Sequence, residues 1–176
     1  MSRRRRAEKR EEIPDLKYQN YTIEKFINKL MWDGKKSIAR KIVYGAVEEL
    51  AKKVKADDPA VAFEQALENA KPTLEVKTRR IGGANYQVPV EIPPNRRSSL
   101  AMTWIIDNAR GKKGRPMREA LAFELIDCFN NQGTTIKKKE DTHRMAESNL
   151  ADDFIALPFF IGLNFQNNVC VLATTT

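Results

Sequence analysis

The chain has 176 residues, enough for one domain with a modest core plus tails, and its formal net charge of +8 favours a polyanionic partner. Its two cysteines exclude a disulfide framework and a cysteine metal cage, so we expect a reducing compartment. The N-terminus lacks an apolar signal core and is too acidic for a transit peptide, which predicts residence in the cytoplasm.

Residues 1–19 are predicted to form a basic N-terminal arm. Its cations are Arg3, Arg4, Arg5, Arg6, Lys9 and Arg10. Because neighbouring like charges repel one another and bury no apolar surface, we expect this arm to be disordered without a partner.

Three helices are predicted after the arm. In the first, apolar residues recur at three- and four-residue spacing from Ile23 to Met31, and Gly34 supplies a stop. Ser37 can cap the second helix. Its predicted buried stripe is Ile38, Ile42, Ala46, Val47, Leu50 and Val54. The third helix begins at Asp58-Pro59 and ends at Pro72. Its predicted buried residues are Phe63, Ala66, Leu67 and Ala70.

A β-hairpin is predicted at about residues 73–92, where apolar and polar residues alternate on both sides of Gly82-Gly83. A two-residue turn would place Val76 opposite Pro89 and mix apolar with polar side chains on each face. We therefore predict a three-residue loop, Gly82 to Ala84, because it keeps one face apolar. The predicted pairs are Leu74 with Ile92, Val76 with Val90, Thr78 with Val88, and Arg80 with Tyr86. Pro89 excludes a central strand, so we expect the hairpin to project.

Three more helices complete the predicted body, which extends over residues 20–149. The fourth helix has apolar positions from Leu100 to Ala109 and stops at Gly111. The fifth follows Pro116, and we expect Gly133 to close it. Its predicted buried residues are Leu121, Leu125, Ile126 and Phe129. The sixth extends from Thr135 to Asn149 with almost no apolar stripe, so it needs a partner outside itself. The expected fold class is mainly α, with about six helices and one hairpin between the third and fourth.

Residues 150–176 form an atypical apolar tail whose only charged residues are Asp152 and Asp153. Pro158 and several asparagines interrupt the apolar run, which argues against a membrane-spanning helix. We therefore predict no membrane contact, and a membrane-surface role would depend on this tail alone.

The sequence contains no convincing catalytic, cofactor or metal motif. His143 is the only histidine, and we expect it to be hydrogen-bonded or to face RNA. The segment Gly34-Lys35-Lys36-Ser37 fails as a phosphate loop, because it lacks the upstream glycine and has Lys36 where Ser or Thr is required. We therefore predict that the protein is not an enzyme and uses no cofactor or metal.

The basic residues instead occur in blocks beside glycines and turns, a pattern typical of contacts with nucleic-acid phosphates. Lys35 and Lys36 flank a helix start. Gly111 to Gly114 resembles a KH clamp loop, although a KH fold would need a strand where a helix is predicted. At the hairpin tip Arg79, Arg80, Asn85 and Tyr86 offer cationic, amide and stacking groups. The predicted rRNA-binding residues of the body are Lys35, Lys36, Arg96, Arg97, Arg110, Lys112, Lys113 and Arg115.

Several long segments closely resemble the small-subunit ribosomal protein seven family in its bacterial and organellar form. They include SRRRRAEKR, KFINKLMWDGKKSIARKIVYGA, KTRRIGGANYQVPVE and LIDCFNNQGTTIKKKEDTHRMAESN, and the similarity extends from Met1 to about Asn149. The resemblance implies a structural protein of the ribosomal small subunit that binds rRNA directly and nucleates assembly of the subunit head. It also implies a position near the decoding centre, exit-site tRNA and mRNA, with neighbouring small-subunit proteins as partners.

The same resemblance assigns roles to particular residues. It implies rRNA contacts for the arm and for Lys35 and Lys36. The residues expected near tRNA or mRNA are Arg79, Arg80, Gly82, Gly83, Tyr86, His143, Arg144 and Met145. The chain departs from the family at Leu150, where relatives continue into a short aromatic and basic tail.

Three explanations of this tail stay open: a diverged tail, a reading-frame change near codon 150, or a lineage-specific extension. The source is also open, because an organelle-encoded ribosome would fit as well. A DNA-binding architectural protein and an RNA-modifying enzyme are the rival functions, although neither a cofactor loop nor a nucleophile–base pair supports the enzyme.

Overall fold

The computed structural model describes the backbone of residues 13–81 and 84–156, and the side chains of residues 13–80 and 85–149. The arm cations from Arg3 to Arg10, the glycines Gly82 and Gly83, and the tail from residue 157 lie outside the described residues. The described chain forms α1 (Tyr21–Leu30), α2 (Lys36–Val54), α3 (Pro59–Ala70), β1 (Leu74–Ile81), β2 (Ala84–Glu91), α4 (Pro94–Gly111), α5 (Met117–Phe129) and α6 (Gly133–Ala156). The mainly α fold with a hairpin between α3 and α4 is thus confirmed.

The core lies between α1, α2, α3, α4 and α5, with α5 packed against α2, α3 and α4. Phe26 of α1 and Phe63 of α3 meet edge to face with ring centroids 5.2 Å apart, a favourable aromatic arrangement. Asn20 caps α1, because its side-chain oxygen accepts hydrogen bonds from the backbone N–H groups of Thr22 and Ile23. Burial raises the pKa of the Cys128 thiol to about 12, so this cysteine is an inert core residue.

The N-terminal end of α2 differs from the prediction. The helix begins at Lys36 after Lys35, and no side-chain hydrogen bond caps it, so the cap assigned to Ser37 is wrong. Ile38 is 54% exposed, while Ala39 and Val43 are buried in its place. The buried face is rotated by one residue here because Ile38 lines an open groove, whereas Ile42 is only partly buried against the core.

The two strands of the hairpin pair in the register of a two-residue turn, not in the predicted register of a three-residue loop. Ile81 pairs with Ala84, Val76 with Pro89 and Leu74 with Glu91, which leaves two residues between the last paired positions. The predicted pairs are wrong because the strand residues with described side chains are exposed or only partly buried. Without a deeply buried face, the hydrophobic pattern specifies the register weakly.

Two corrections concern α6. Gly133 does not close α5, which ends at Phe129; it is the first residue of α6. In the turn between α5 and α6, Asn131 adopts a positive φ of 55°. Glycine adopts this conformation more readily than other residues do, which is why Gly133 was the predicted stop. The helix also continues past Asn149 to Ala156, so its end was placed seven residues too early. Among the described helices, none combines the length and apolarity needed to cross a membrane.

The external partner that the polar α6 requires is the hairpin of the same chain, together with α5. The His143 ring and the Asn149 side chain of α6 form hydrogen bonds with Thr73 and Gln87. Thr73 precedes β1, and Gln87 lies in the half of β2 nearer the hairpin tip, so α6 extends along the hairpin from its base toward its tip.

The folded body begins before residue 20. Asp15 is fully buried, and its carboxylate accepts hydrogen bonds from the backbone N–H groups of Lys17 and Tyr18 and from the Tyr44 hydroxyl at 2.6 Å. Burial and this hydrogen bond to Asp15 raise the pKa of Tyr44 to about 12. The segment from Ile13 to Gln19, which the sequence places in the arm, is thus anchored to α2.

Candidate nucleic-acid interface

Two of the predicted cationic segments meet at one groove. The turn between α1 and α2 supplies Lys35, and the end of α4 with the following loop supplies Arg110, Lys112 and Arg115. The groove has a volume of about 590 Å³. Its remaining lining is mostly apolar and includes Met31, Trp32, Ile38, Ile42 and Met117. The sequence places these two segments about 75 residues apart, so the fold alone brings them together.

Arg110 links the two sides of the groove. Its guanidinium donates a hydrogen bond to the backbone carbonyl of Leu30 at 3.1 Å, at the C-terminal end of α1. The same guanidinium lies over the Trp32 ring, 4.9 Å from the ring centroid, within the distance of a cation–π contact. Arg110 is therefore held in a fixed position at the groove wall.

Lys112, a predicted RNA contact, lines the groove but is paired with a buried carboxylate. Its ammonium lies 2.8 Å from a carboxylate oxygen of Glu124, a residue with no exposed surface. The two Glu124 oxygens also accept hydrogen bonds from the Thr134 and Thr135 hydroxyls at 3.0 and 2.9 Å. This network ties the loop after α4 to the start of α6, so Lys112 positions the loop.

Three other predicted rRNA contacts also form ion pairs inside the chain. Lys36 pairs with Glu24 of α1, Arg96 with Glu75 of β1 and Arg97 with Glu91 of β2. Burial opposes ionisation of Glu75, but hydrogen bonds from Lys77 and Arg96 outweigh it and lower the Glu75 pKa.

The Arg96 and Arg97 pairs each have an exposed partner and contribute little to stability, so a phosphate can compete for these cations. Arg97 also donates a hydrogen bond to the Ile92 carbonyl at 2.7 Å, which fixes it at the junction between β2 and α4.

The remaining predicted cations of the body are exposed. Lys35 and Lys113 form no ion pair with any side chain that the structure describes. Arg115 stacks over the Phe123 ring at 4.6 Å, an arrangement that leaves its N–H groups available. These three residues are thus the best placed of the predicted cations to neutralise phosphates.

The hairpin tip carries exposed cations and an exposed aromatic ring. Arg79 pairs with Tyr86 and Arg80 with Asn85 across the strands, so the predicted pairing of Arg80 with Tyr86 is wrong. Arg79, Arg80 and Tyr86 are all exposed, and Tyr86 shares one face of the ribbon with Arg79. A guanidinium and a stacking surface therefore lie side by side.

His143, Arg144 and Met145 divide between structural and exposed positions. The His143 Nε2 accepts a hydrogen bond from the Thr73 backbone N–H at 3.0 Å, so its ring joins α6 to the hairpin base. Burial lowers the pKa of His143, and the Lys139 charge lowers it further, which favours the neutral acceptor. Arg144 and Met145 are exposed beside it.

Sequence reasoning missed Trp32 and misassigned Ile38, two large apolar residues that are 73% and 54% exposed. The available signal was the position of this tryptophan in a turn directly before Gly34-Lys35-Lys36, because the side chain of a turn residue is seldom buried in a core.

Among the described residues, no cluster of histidine, cysteine and acidic side chains could hold a metal ion.

Comparison with known proteins identifies relatives over most of the chain. The family model described as ribosomal protein S7p/S5e matches residues 2–150. The small ribosomal subunit protein uS7 of Protochlamydia amoebophila is 68% identical over 151 residues, which cover 86% of this chain and 96% of that relative. The uS7 proteins of Chlamydia trachomatis serovar D and Chlamydia muridarum are each 63% identical with the same coverage. The family match ends where the predicted resemblance ends, near residue 150.

Proposed function

From the premise that this chain belongs to the ribosomal protein S7p/S5e family, we propose that its cationic groove binds the rRNA whose folding begins assembly of the subunit head. A member of this family is a structural protein of the small ribosomal subunit that binds rRNA and neighbouring ribosomal proteins and takes part in translation. It is not an enzyme, so the rival interpretation as an RNA-modifying enzyme is excluded.

The observation that carries this proposal is the convergence of two cationic loops at one groove. Lys35, Lys113 and Arg115 lie on these loops, and each has its charged group available. Exposed cations on a folded surface neutralise phosphates and release counterions when RNA binds. The groove therefore suits an RNA whose folded shape presents several phosphates together.

The three regions of the chain have different proposed roles. The arm, with cations from Arg3 to Arg10, threads into the rRNA and becomes ordered there. The body, residues 20–149, holds the groove and the hairpin. The tail, residues 150–176, lies outside the family match apart from its first residue and has no proposed RNA contact.

The hairpin tip and α6 are proposed to lie beside exit-site tRNA and the mRNA path, near the decoding centre. Arg79, Arg80 and Tyr86 provide the exposed cations and ring, and Arg144 and Met145 extend this surface along α6. The glycines Gly82 and Gly83 belong to the same proposed contact. Because none of these tip residues lines the groove, assembly and tRNA contacts can be separated by mutation.

The double substitution Arg79→Ala/Arg80→Ala tests this division of roles. We expect normal incorporation of the variant into reconstituted small subunits and weaker exit-site tRNA binding, measured by filter retention of labelled tRNA. Lys52→Ala/Lys55→Ala removes the same charge from the exposed C-terminal end of α2 and should change neither readout. Failure of the hairpin variant to incorporate would contradict the division, and so would unchanged tRNA binding.

A further inference from the structure

Trp32 is held in an exposed position by a rigid turn. Its backbone carbonyl accepts a hydrogen bond from the Lys35 N–H at 2.9 Å, and the preceding Met31 N–H donates to the Ile27 carbonyl at 3.0 Å. Asp33 and Gly34, which lie between Trp32 and Lys35, adopt φ values of 50° and 73°. The residue is 73% exposed although an apolar groove lies directly beside it. Its surface is therefore available to a partner from outside the chain.

One face of the ring is already occupied. The Arg110 guanidinium lies over it, and the hydrogen bond from Arg110 to the Leu30 carbonyl keeps the guanidinium there. Leu30 is the last residue of α1, where a helix favours a nearby cation, so this arrangement is stable without a ligand. A flat ligand on the other face would complete a stack of guanidinium, indole and ligand.

The charges around the groove select the chemical class of that ligand. Four of the lining residues are basic and one, Asp33, is acidic. Lys112 is paired with the buried Glu124, so the cationic rim consists of Lys35, Arg110 and Arg115. A cationic rim around an exposed aromatic ring is the arrangement by which proteins bind single-stranded nucleic acid. The volume of about 590 Å³ lies within the usual range of ligand clefts.

We infer that Trp32 and Arg110 form a stacking platform for one unpaired nucleobase of the bound RNA, with Ile38 as the apolar floor beside it. This inference rests on the proposed rRNA-binding function of the groove. A base within a duplex has both faces covered by its neighbours, so only a looped-out or single-stranded base can stack on Trp32. The platform would thus recognise a distorted position in the RNA, while the surrounding cations bind its backbone.

Binding of the full chain to small-subunit rRNA transcribed in vitro tests the platform. Replacing the ring in Trp32→Ala should weaken binding roughly 5- to 150-fold, the range expected for loss of one base–aromatic stack. The dependence of affinity on salt should stay the same, because no charge is removed. Trp32→Phe should recover most of the affinity, since it keeps a stacking face. Tyr21→Ala removes an exposed aromatic ring from the opposite end of α1 and should bind normally.

Fluorescence provides a second, independent readout. The chain has two tryptophans, so in Trp104→Phe selective excitation of indole reports on Trp32 alone. A single-stranded oligonucleotide should quench this emission more strongly than an RNA duplex of equal charge. Normal affinity of Trp32→Ala together with salt-sensitive binding would overturn the platform but leave the proposed function intact. Loss of salt-sensitive rRNA binding by the unmodified chain would overturn the proposed function itself. Quenching by a neighbouring ribosomal protein and not by RNA would assign the groove to a protein partner and overturn the inference.

Discussion

Lys112 and Lys113 are neighbours in one loop but occupy opposite environments. Lys112 neutralises the buried Glu124, whereas Lys113 is exposed and forms no ion pair within the described residues. Removing one partner of a fully buried pair costs about 3–5 kcal/mol. Lys112 is partly exposed and Glu124 keeps two threonine hydroxyls, so the cost here should be smaller.

We predict that Lys112→Ala lowers the free energy of unfolding by about 1–3 kcal/mol, because a buried carboxylate loses its counter-charge. Lys113→Ala should leave the stability unchanged within about 0.5 kcal/mol, as expected of an exposed site. Urea denaturation of the two variants provides the comparison. Equal stability of both variants would show that the pair with Glu124 does not anchor the loop.

His143 makes the contact between α6 and the hairpin dependent on pH. Its pKa in the folded chain is lowered, mainly by burial, so the unfolded chain takes up the proton first as pH falls. The contribution of His143 is therefore present above about pH 6.5, the ordinary pKa, and is lost as pH falls through the folded value.

We predict that the free energy of unfolding falls between pH 7 and pH 5 in the unmodified chain and falls less steeply in His143→Gln. Chemical denaturation at a series of pH values measures the difference. His143 is the only histidine, so no other imidazole can account for it. Identical pH profiles for the two chains would contradict the assigned hydrogen bond to Thr73.

At the scale of the elements, Gly133 fixes the start of α6. Its φ is +91°, and a Cβ built on it would lie 2.7 Å from the Cβ of Asp127 in α5. Gly34 has a φ of +73° with open space around it, and Gly111 has open space and no positive φ. An added Cβ would therefore meet both backbone strain and steric overlap at Gly133, backbone strain alone at Gly34, and neither at Gly111.

We predict that alanine substitution destabilises the fold in the order Gly133, Gly34, Gly111. Gly133→Ala should lose about 2–3 kcal/mol, since the left-handed conformation costs roughly 1–2 kcal/mol and α5 must also shift. Gly34→Ala should lose only the conformational part, and Gly111→Ala should be neutral or slightly stabilising. Thermal unfolding followed by circular dichroism tests the order. A loss at Gly133 no larger than at Gly34 would mean that the contact with Asp127 is not rigid.

The elements also show how far sequence reasoning reaches. The periodic apolar positions of α1, α3 and α5 specified the helices and much of the core, because each of these faces is covered by other helices. The hairpin register and the first turn of α2 were wrong for the converse reason. Neither the strand faces nor Ile38 is covered by the core, so an apolar pattern there carries little information on orientation.

For the whole molecule, the sequence predicted where the cationic segments are. It did not predict which of their cations form ion pairs within the protein and which remain available to RNA. Lys36, Lys112 and Arg97 are paired with Glu24, Glu124 and Glu91, which lie 12, 12 and 6 positions away along the chain. Only the fold shows that these cations are partly used inside the protein, while Lys35, Lys113 and Arg115 keep their charges available. Counting basic blocks therefore overestimates the number of phosphates that the body can neutralise.

The salt dependence of rRNA binding tests the central claim most directly. If the arm and body together neutralise roughly six to ten phosphates, affinity should fall about a thousand-fold or more between 50 and 200 mM salt. The variant Lys35→Ala/Lys113→Ala should reduce the slope of log K against log salt by roughly 0.9 for each phosphate that is no longer neutralised. The control Lys52→Ala/Lys55→Ala removes the same charge from the exposed C-terminal end of α2 and should keep the original slope. Binding that is insensitive to salt, or equal slopes for the two variants, would contradict the account.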